Sequence, residues 1–237
     1  QMFQEKKIKS IFHAVLIRMF DLMASSIVLI LLSPFLVLVC ISLKLSGEGK
    51  IFFLQKRIGR LGKTFTLYKF ATMLKNSIAL PGGEITLRND PRVLKLGKYL
   101  RLSKLNEVPQ LLNVIKGDMS LVGPRPQTSS TFKLFDPKDQ ENILSVKPGL
   151  SGIGSIIFRD EEYIFSLVDN PLEFDANIIM PHKGKLEAWY VRNKTLKLYF
   201  KLIFFTFQSL FHPKNGLSFD TFMDIPELPK ELLQFKD

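Results

Sequence analysis

Between Leu22 and Leu43 the chain reads LMASSIVLILLSPFLVLVCISL, with no charged residue. At 1.5 Å per residue a helix over this run covers about 33 Å, the thickness of a bilayer's hydrocarbon core. It is longer than the apolar part of a signal peptide and no small-x-small cleavage site follows, so it is expected to stay in the mature protein. Pro34 sits at its centre, removing one N–H and clashing with the carbonyl of Ile30, so a kink or break is expected at Ser33-Pro34, with the Ser33 hydroxyl able to satisfy a freed backbone group. Lys6, Lys7, Lys9 and Arg18 precede the run; Lys44, Lys50, Lys56, Arg57 and Arg60 follow it. Positive charge stays on the cytoplasmic side. Basic flanks at both ends therefore favour a re-entrant helix-break-helix over a straight spanning helix, which is the competing reading.

Composition points the same way. The 237 residues are 46% hydrophobic and carry a formal charge of +11, with mean hydropathy +0.12. An apolar surplus beside a basic one implies a membrane together with anionic substrates. Nucleic acid is the weaker partner, because no zinc-finger spacing, RNP motif or clear helix-turn-helix is present. Cys40 is the only cysteine, and His13, His182 and His212 are scattered. That leaves neither a disulfide nor a thiolate or imidazole cluster, so any metal would be held by oxygens, as Mg²⁺ or Mn²⁺ is.

After the apolar run, Ile51–Gln55 and Thr64–Lys69 read as strands of a hairpin around Gly59 and Gly62. Asp90-Pro91 reads as a helix start, with Val93, Leu96 and Leu100 on one face and Lys95, Lys98 and Arg101 on another. Pro109 suits the first turn of a second helix, and Gly117 its end, which places Asn106 and Glu107 at a helix start. Such a start favours a phosphate or a carboxylate. The plain alternative is an N-cap and a first-turn acid serving stability alone. Gly123-Pro124-Arg125-Pro126 forms a stiff turn presenting Arg125. The segment 185–211 interleaves basic and aromatic residues and suits an interfacial helix or, nearly as well, an amphipathic core helix. A tail follows from Pro213, with a final helix at Pro229–Phe235.

The stretch LNEVPQLLNVIKGDMSLVGPRP resembles the signature of the bacterial sugar transferases, monotopic phosphoglycosyl transferases acting on a polyprenyl phosphate carrier. FFLQKRIGRLGKTFTLYKFATM at 52–73, NDPRVLKLGKYLR at 89–101 and VKPGLSGIG at 146–154 support the likeness in order. The resemblance implies a mostly helical α+β monotopic protein on the cytoplasmic face of the bacterial inner membrane. Its parts would be a membrane-associated segment 1–48, a small cytosolic catalytic domain 49–212 with interfacial helices, and a tail 213–237. The implied reaction moves a sugar-1-phosphate from a UDP-sugar to polyprenyl (undecaprenyl) phosphate, releasing UMP, as the first membrane step of polysaccharide or glycoconjugate synthesis. Membrane lipids are the further partner, and a homo-oligomer is compatible with the sequence.

Carried over residue by residue, the resemblance implies Asn106 and Glu107 as the catalytic pair, with Glu107 holding Mg²⁺. Arg101 and Arg159 are implied as phosphate ligands, and Pro124, Arg125 and Pro126 as the nucleotide border. Four departures stand out. Asn106 replaces the usual nucleophilic aspartate, and an amide cannot do that work. Ala71 stands where the family shows arginine, Phe158 and Asp160 flank Arg159 in place of Gly-Arg-Asn, and Tyr199 replaces an aspartate. Asn106 is open to three readings: an introduced block, a natural subgroup in which Glu107 or the lipid phosphate attacks, or a catalytically disabled member acting as a membrane-bound scaffold. Because the departures occur together, the natural subgroup is favoured.

Overall fold

The computed structural model describes residues 2–46, 48–211, 222 and 224–235, with side chains of the long helices described from Ile11 to Ser209. His212 and the tail at 213–221, 223 and 236–237 lie outside the described residues. The chain opens with helix α1, Met2–Leu45. Strands β1, Phe52–Ile58, and β2, Thr64–Phe70, follow as an antiparallel pair in which Arg57 faces Phe65 and Phe53 faces Lys69. Then come α2, Lys95–Leu102, a 3₁₀ turn Leu105–Glu107, and α3, Gln110–Lys116. Strand β3, Ser120–Val122, is followed by α4, Ser129–Phe132, and α5, Pro137–Leu144. Strand β4, Gly149–Ser151, pairs parallel with β3. Helices α6, Ile153–Ile157, α7, Glu161–Phe165, and α8, Pro171–Phe174, lead to a π-helical turn Asp175–Ile179. Helices α9, Met180–Arg192, and α10, Leu196–Phe211, complete the body. The mostly helical α+β class stands, with two small sheets.

The main core lies where α6, α9 and α10 meet: Ile153, Ile157, Leu186, Tyr190, Tyr199 and Leu202 are all buried there. The hairpin forms as its alternation requires, with Phe65 and Leu67 buried against Val114 and Met119 and the intervening residues turned outward. Helix α3 docks on the hairpin through Asn113, whose amide accepts from Tyr68 N at 3.1 Å and donates to Thr66 O at 2.8 Å. Gly117 ends α3 in the left-handed region at φ 92°, a conformation that costs glycine nothing.

Two expectations are corrected. Asp90-Pro91 does not start a helix: the helix begins at Lys95 after Leu94, without a side-chain cap. The Asp90 carboxylate is taken instead by Arg92, at 2.6 Å from Nη2, and Arg92 also donates to the carbonyls of Ser77 and Gly83 at 2.9 Å each. A buried guanidinium must find acceptors for its whole fork, and that need outweighs a helix cap. Of the kink or break expected at Ser33-Pro34, the break is the second. Helix α1 is assigned without interruption through Pro34, and the Ser33 hydroxyl donates to Ile30 O at 2.8 Å, the acceptor that proline leaves without a partner. The interfacial segment divides into α9, packed in the core, and α10, whose Phe200, Phe204 and Phe207 are exposed on one face. The expected final helix is a 3₁₀ segment, Lys230–Phe235, whose Leu232 and Phe235 join the main core.

Helix α1 contains a stretch, Ile11–Leu45, long and apolar enough to cross a membrane, and it is little buried by the rest of the chain. It touches the body near both ends. Toward its start, Ile17 enters the main core and Arg18 donates to Val114 O and Ile115 O at 2.6 and 2.9 Å, placing its positive charge at the carbonyls of the last turn of α3. Asp21, 2% exposed, accepts from Ser120 Oγ at 2.7 Å, from Leu121 N at 3.0 Å and from the Tyr199 hydroxyl. Toward its end, Val39 and Leu43 pack on Phe70 and Leu100. Tyr199 thus serves as an anchor for α1. Asp21→Ala strands three buried donors, a cost of about 3 kcal/mol or more. The apparent melting temperature in detergent is expected to fall by about 8 °C, and by less than half as much in Tyr199→Phe, which removes one donor; equal shifts would refute this ordering.

Candidate active site

The 3₁₀ turn Leu105–Glu107 begins from Lys104, held in the left-handed region at φ 58°, and runs into α3 through Pro109. Asn106 and Glu107 therefore sit one turn ahead of the second helix, close to where the spacing put them. Glu107 is met from two sides. Lys69 Nζ at the end of β2 lies 3.0 Å from Oε1. Arg125 Nη2 lies 2.6 Å from the same oxygen, while Nη1 is 3.5 Å from Oε2. Burial alone would push the Glu107 carboxyl up, but Arg125 and Lys69 outweigh it and hold the group well below the usual carboxylate range.

The hairpin register explains the lysine. Phe65, Leu67 and Lys69 share the inward face, and Arg57, opposite Phe65, lies on it too. Burial brings Lys69 down to about 8 even though Glu107 pulls it upward, with Arg125 and Arg57 lowering it further. Arg57 is brought to about 10 by burial and by Arg125. It donates to Gln55 Oε1 at 2.5 Å and to Pro126 O at 3.2 Å. Three cations thus crowd around one carboxylate, a surplus of positive charge that a diphosphate would relieve.

These groups line a cleft of about 1430 Å³. Arg101 and Arg159 line it as well, without touching Glu107: Arg101 lies 3.0 Å from Glu162, and Arg159 donates to Ser209. Of the Gly-Pro-Arg-Pro turn only Arg125 faces the cleft. Pro124 and Pro126 instead shape the turn, offering their carbonyls to Gly149 N and Arg57. The glycines of VKPGLSGIG have a packing reason: a Cβ at Gly149 would stand 2.0 Å from Gly123 N, so β3 and β4 meet only without side chains there. On another wall the cleft is apolar, bounded by Phe20, Ala24 and Val28 of α1 and by Ile203 and Phe207 of α10.

Sequence reasoning had passed over Lys69, Arg57 and Glu187. Period-two alternation would have found the first, since a lysine continues the inward series after Phe65 and Leu67. Glu187 is 2% exposed and reaches Arg125 N at 3.4 Å; burial pushes it up to about 7. No local pattern marks it, because the α9 turn it occupies reads as ordinary helix.

For a divalent cation, no group of three acidic, His or Cys side chains converges among the described residues. The donors fit an ion held mainly by substrate phosphates, with one protein carboxylate. Glu107 Oε2 has only the long contact to Arg125, and the buried Asn106 Oδ1 has no hydrogen-bond partner.

A family model described as bacterial sugar transferase matches residues 12–213. The undecaprenyl-phosphate galactose phosphotransferase of Salmonella typhimurium (strain LT2) is 34% identical over 193 residues, covering 76% of this chain and 37% of that protein. The UDP-glucose:undecaprenyl-phosphate glucose-1-phosphate transferase of Klebsiella pneumoniae is also 34% identical, over 194 residues, 80% of this chain and 38% of that protein. The exopolysaccharide production protein ExoY of Rhizobium meliloti (strain 1021) is 38% identical over 158 residues, 61% of this chain and 70% of that protein. The chain thus spans well under half the length of the first two relatives and most of the third. With a match running from α1 into the end of α10 and taking in the whole cationic cleft, the chain belongs to the bacterial sugar transferase family.

Proposed function

We propose that the protein transfers a sugar-1-phosphate from a UDP-sugar to a polyprenyl phosphate, releasing UMP, at the cytoplasmic face of the bacterial inner membrane as the opening step of a surface glycan. One observation carries this reading: a single cleft joins the cations around Glu107 to the apolar wall of α1 and α10. A lipid phosphate and a nucleotide diphosphate need those two surfaces side by side. The names of the relatives, which pair undecaprenyl phosphate with sugar phosphate transfer, support the same assignment.

The same geometry supports a monotopic arrangement. A straight helix crossing the bilayer would set the ends of the 22–43 run about 33 Å apart on opposite sides. Both ends pack on one body, through Asp21 and through Val39 and Leu43. This supports a helix α1 that enters the membrane from one side, with the Phe200, Phe204 and Phe207 face of α10 beside it at the interface.

The chemistry is a displacement at the β-phosphorus of the UDP-sugar. An oxygen of the lipid phosphate forms the new P–O bond, the bond from the β-phosphorus to the bridging oxygen breaks, and its electron pair leaves on UMP. Lys69, Arg57 and Arg125 would bear the charge of two anions brought together. Glu107 holds Lys69 and Arg125 in place. A carboxylate this tightly paired is a poor nucleophile, and Asn106 is neutral, which favours direct attack by the lipid phosphate over a covalent intermediate. Mg²⁺, or Mn²⁺, held by Glu107 with Asn106 Oδ1 as a neutral neighbour, would supply further charge neutralisation at the diphosphate.

In lipid nanodiscs with polyprenyl phosphate, UMP release from a panel of UDP-sugars is expected, falling by about 10²–10³-fold in Arg125→Ala and Glu107→Gln. Release unchanged by both substitutions would sink the assignment. Chelation by EDTA is expected to stop release and Mg²⁺ to restore it; full activity in EDTA would dismiss the metal. Since Lys69 is charged below about 8 and neutral above, kcat/KM should decline as pH rises through that value. Lys69→Arg should move the decline to higher pH, and a profile indifferent to that change would remove Lys69 from the machinery.

A further inference from the structure

The Gly-Pro-Arg-Pro turn and the start of α6 press together along a seam that leaves no room for side chains: a Cβ at Gly152 would stand 2.3 Å from Gly123 O. The carboxylate of Glu187 enters this seam from α9. A Cβ at Gly154 would stand 2.7 Å from its Oε1, and one at Gly152 3.2 Å from Oε2. Glu187 is 2% exposed, and its Oε1 accepts from Arg125 N at 3.4 Å. The turn is held on either side of Arg125 by other contacts, Pro124 O to Gly149 N at 2.8 Å and Pro126 O to Arg57 Nη1 at 3.2 Å. Glu187 is therefore what meets the peptide of the arginine itself, whose guanidinium reaches Glu107.

An ionised carboxylate is a stronger acceptor for an N–H than a neutral acid is. We propose that Glu187 is a positioning residue for the transfer: acting through the Arg125 N–H, its carboxylate sets where the Arg125 guanidinium stands against the β-phosphate. This rests on the transferase reading above and adds to it a residue that need not touch substrate. Arg125 would bear the charge of two anions brought together, so a small displacement of its fork costs more in the transition state than in nucleotide binding. The charge on Glu187 changes near neutrality. Burial pushes its carboxyl up to about 7, against the Arg125 and Gly154 N–H groups and the charges of Arg125 and Lys183. Tyr190, one turn on, is pushed up by burial and stays neutral. Helix α6 packs there without a charged side chain, while Glu161 of α7 and Asp175 face Lys183. Glu187 is thus a carboxylate above about 7 and a neutral acid below it.

The test follows kcat for UMP release against pH, with the protein in nanodiscs containing polyprenyl phosphate and with UMP affinity measured for each variant. In the wild type kcat should rise as pH passes through about 7, before the decline set by Lys69. Glu187→Gln keeps an acceptor for Arg125 N but not the charge. It is expected to lose the rising limb and about 10-fold in kcat, with UMP affinity held within about threefold. Lys183→Gln leaves Glu187 in place and removes a cation that pulls it down, so its rising limb is expected at higher pH. That shift decides the matter should Glu187→Gln fail to fold. A limb of unchanged midpoint in the variants, as ionisation of the lipid phosphate would give, overturns the assignment. So does a parallel fall of kcat and UMP affinity in Glu187→Gln, which a merely structural role would produce. In both cases the transferase reading stands. If the wild type releases no UMP from any UDP-sugar, that reading fails and the positioning role with it.

Discussion

Glu107 held between Lys69 and Arg125 is the contact on which the site depends. Its partners come from the end of a hairpin strand and from a proline-stiffened turn, and Glu107 itself stands ahead of a helix, so the two ion pairs tie together three segments distant in sequence. Burying a carboxylate is costly unless its oxygens are answered, and burying several cations near one another is costlier still. Glu107 is the anion that touches both Lys69 and Arg125 and so sits at the centre of the cluster. Lys69 and Arg57 are both held below their ordinary values, by burial first and by neighbouring cations after it. A diphosphate entering the cleft would add negative charge beside these cations.

The same economy of charge governs the membrane face. Helix α1 is largely bare along its apolar middle, yet it is fastened by polar contacts at one end, Arg18 to the carbonyls of α3 and Asp21 to β3 and Tyr199, and by apolar ones at the other. Polar fastenings of this kind fix orientation, because a donor left without Asp21 would be buried and unmet. Helix α10 contributes Tyr199 to that anchor and its exposed phenylalanines to the opposite face. One helix thereby links an exposed aromatic face to the wall of the cleft.

Much of this was legible in the residues, and what was not has a physical cause. The hairpin, the stop at Gly117 and the Asn106-Glu107 turn ahead of Pro109 follow from local rules of period, φ and lost N–H groups. The start of α2 was misread because Asp90 answers Arg92 rather than a helix terminus, a choice made by a buried guanidinium and not by the neighbouring sequence. At Pro34 the local rule foresaw a freed carbonyl and a kink or break; Ser33 answers Ile30 and the helix is not broken. Tyr199 had no local meaning at all: its partner Asp21 lies 178 residues away. Glu187 was silent for the same reason, its environment being built by Gly152, Gly154 and Arg125 from other elements.

The central claim is that Glu107 acts by organising cations and that the lipid phosphate itself attacks. Rapid-quench measurement of UMP in the absence of polyprenyl phosphate tests this most directly. No burst is expected, with UMP appearing only after the acceptor is added. A burst stoichiometric with enzyme, accompanied by a phosphosugar adduct mapped to Glu107, would contradict the account.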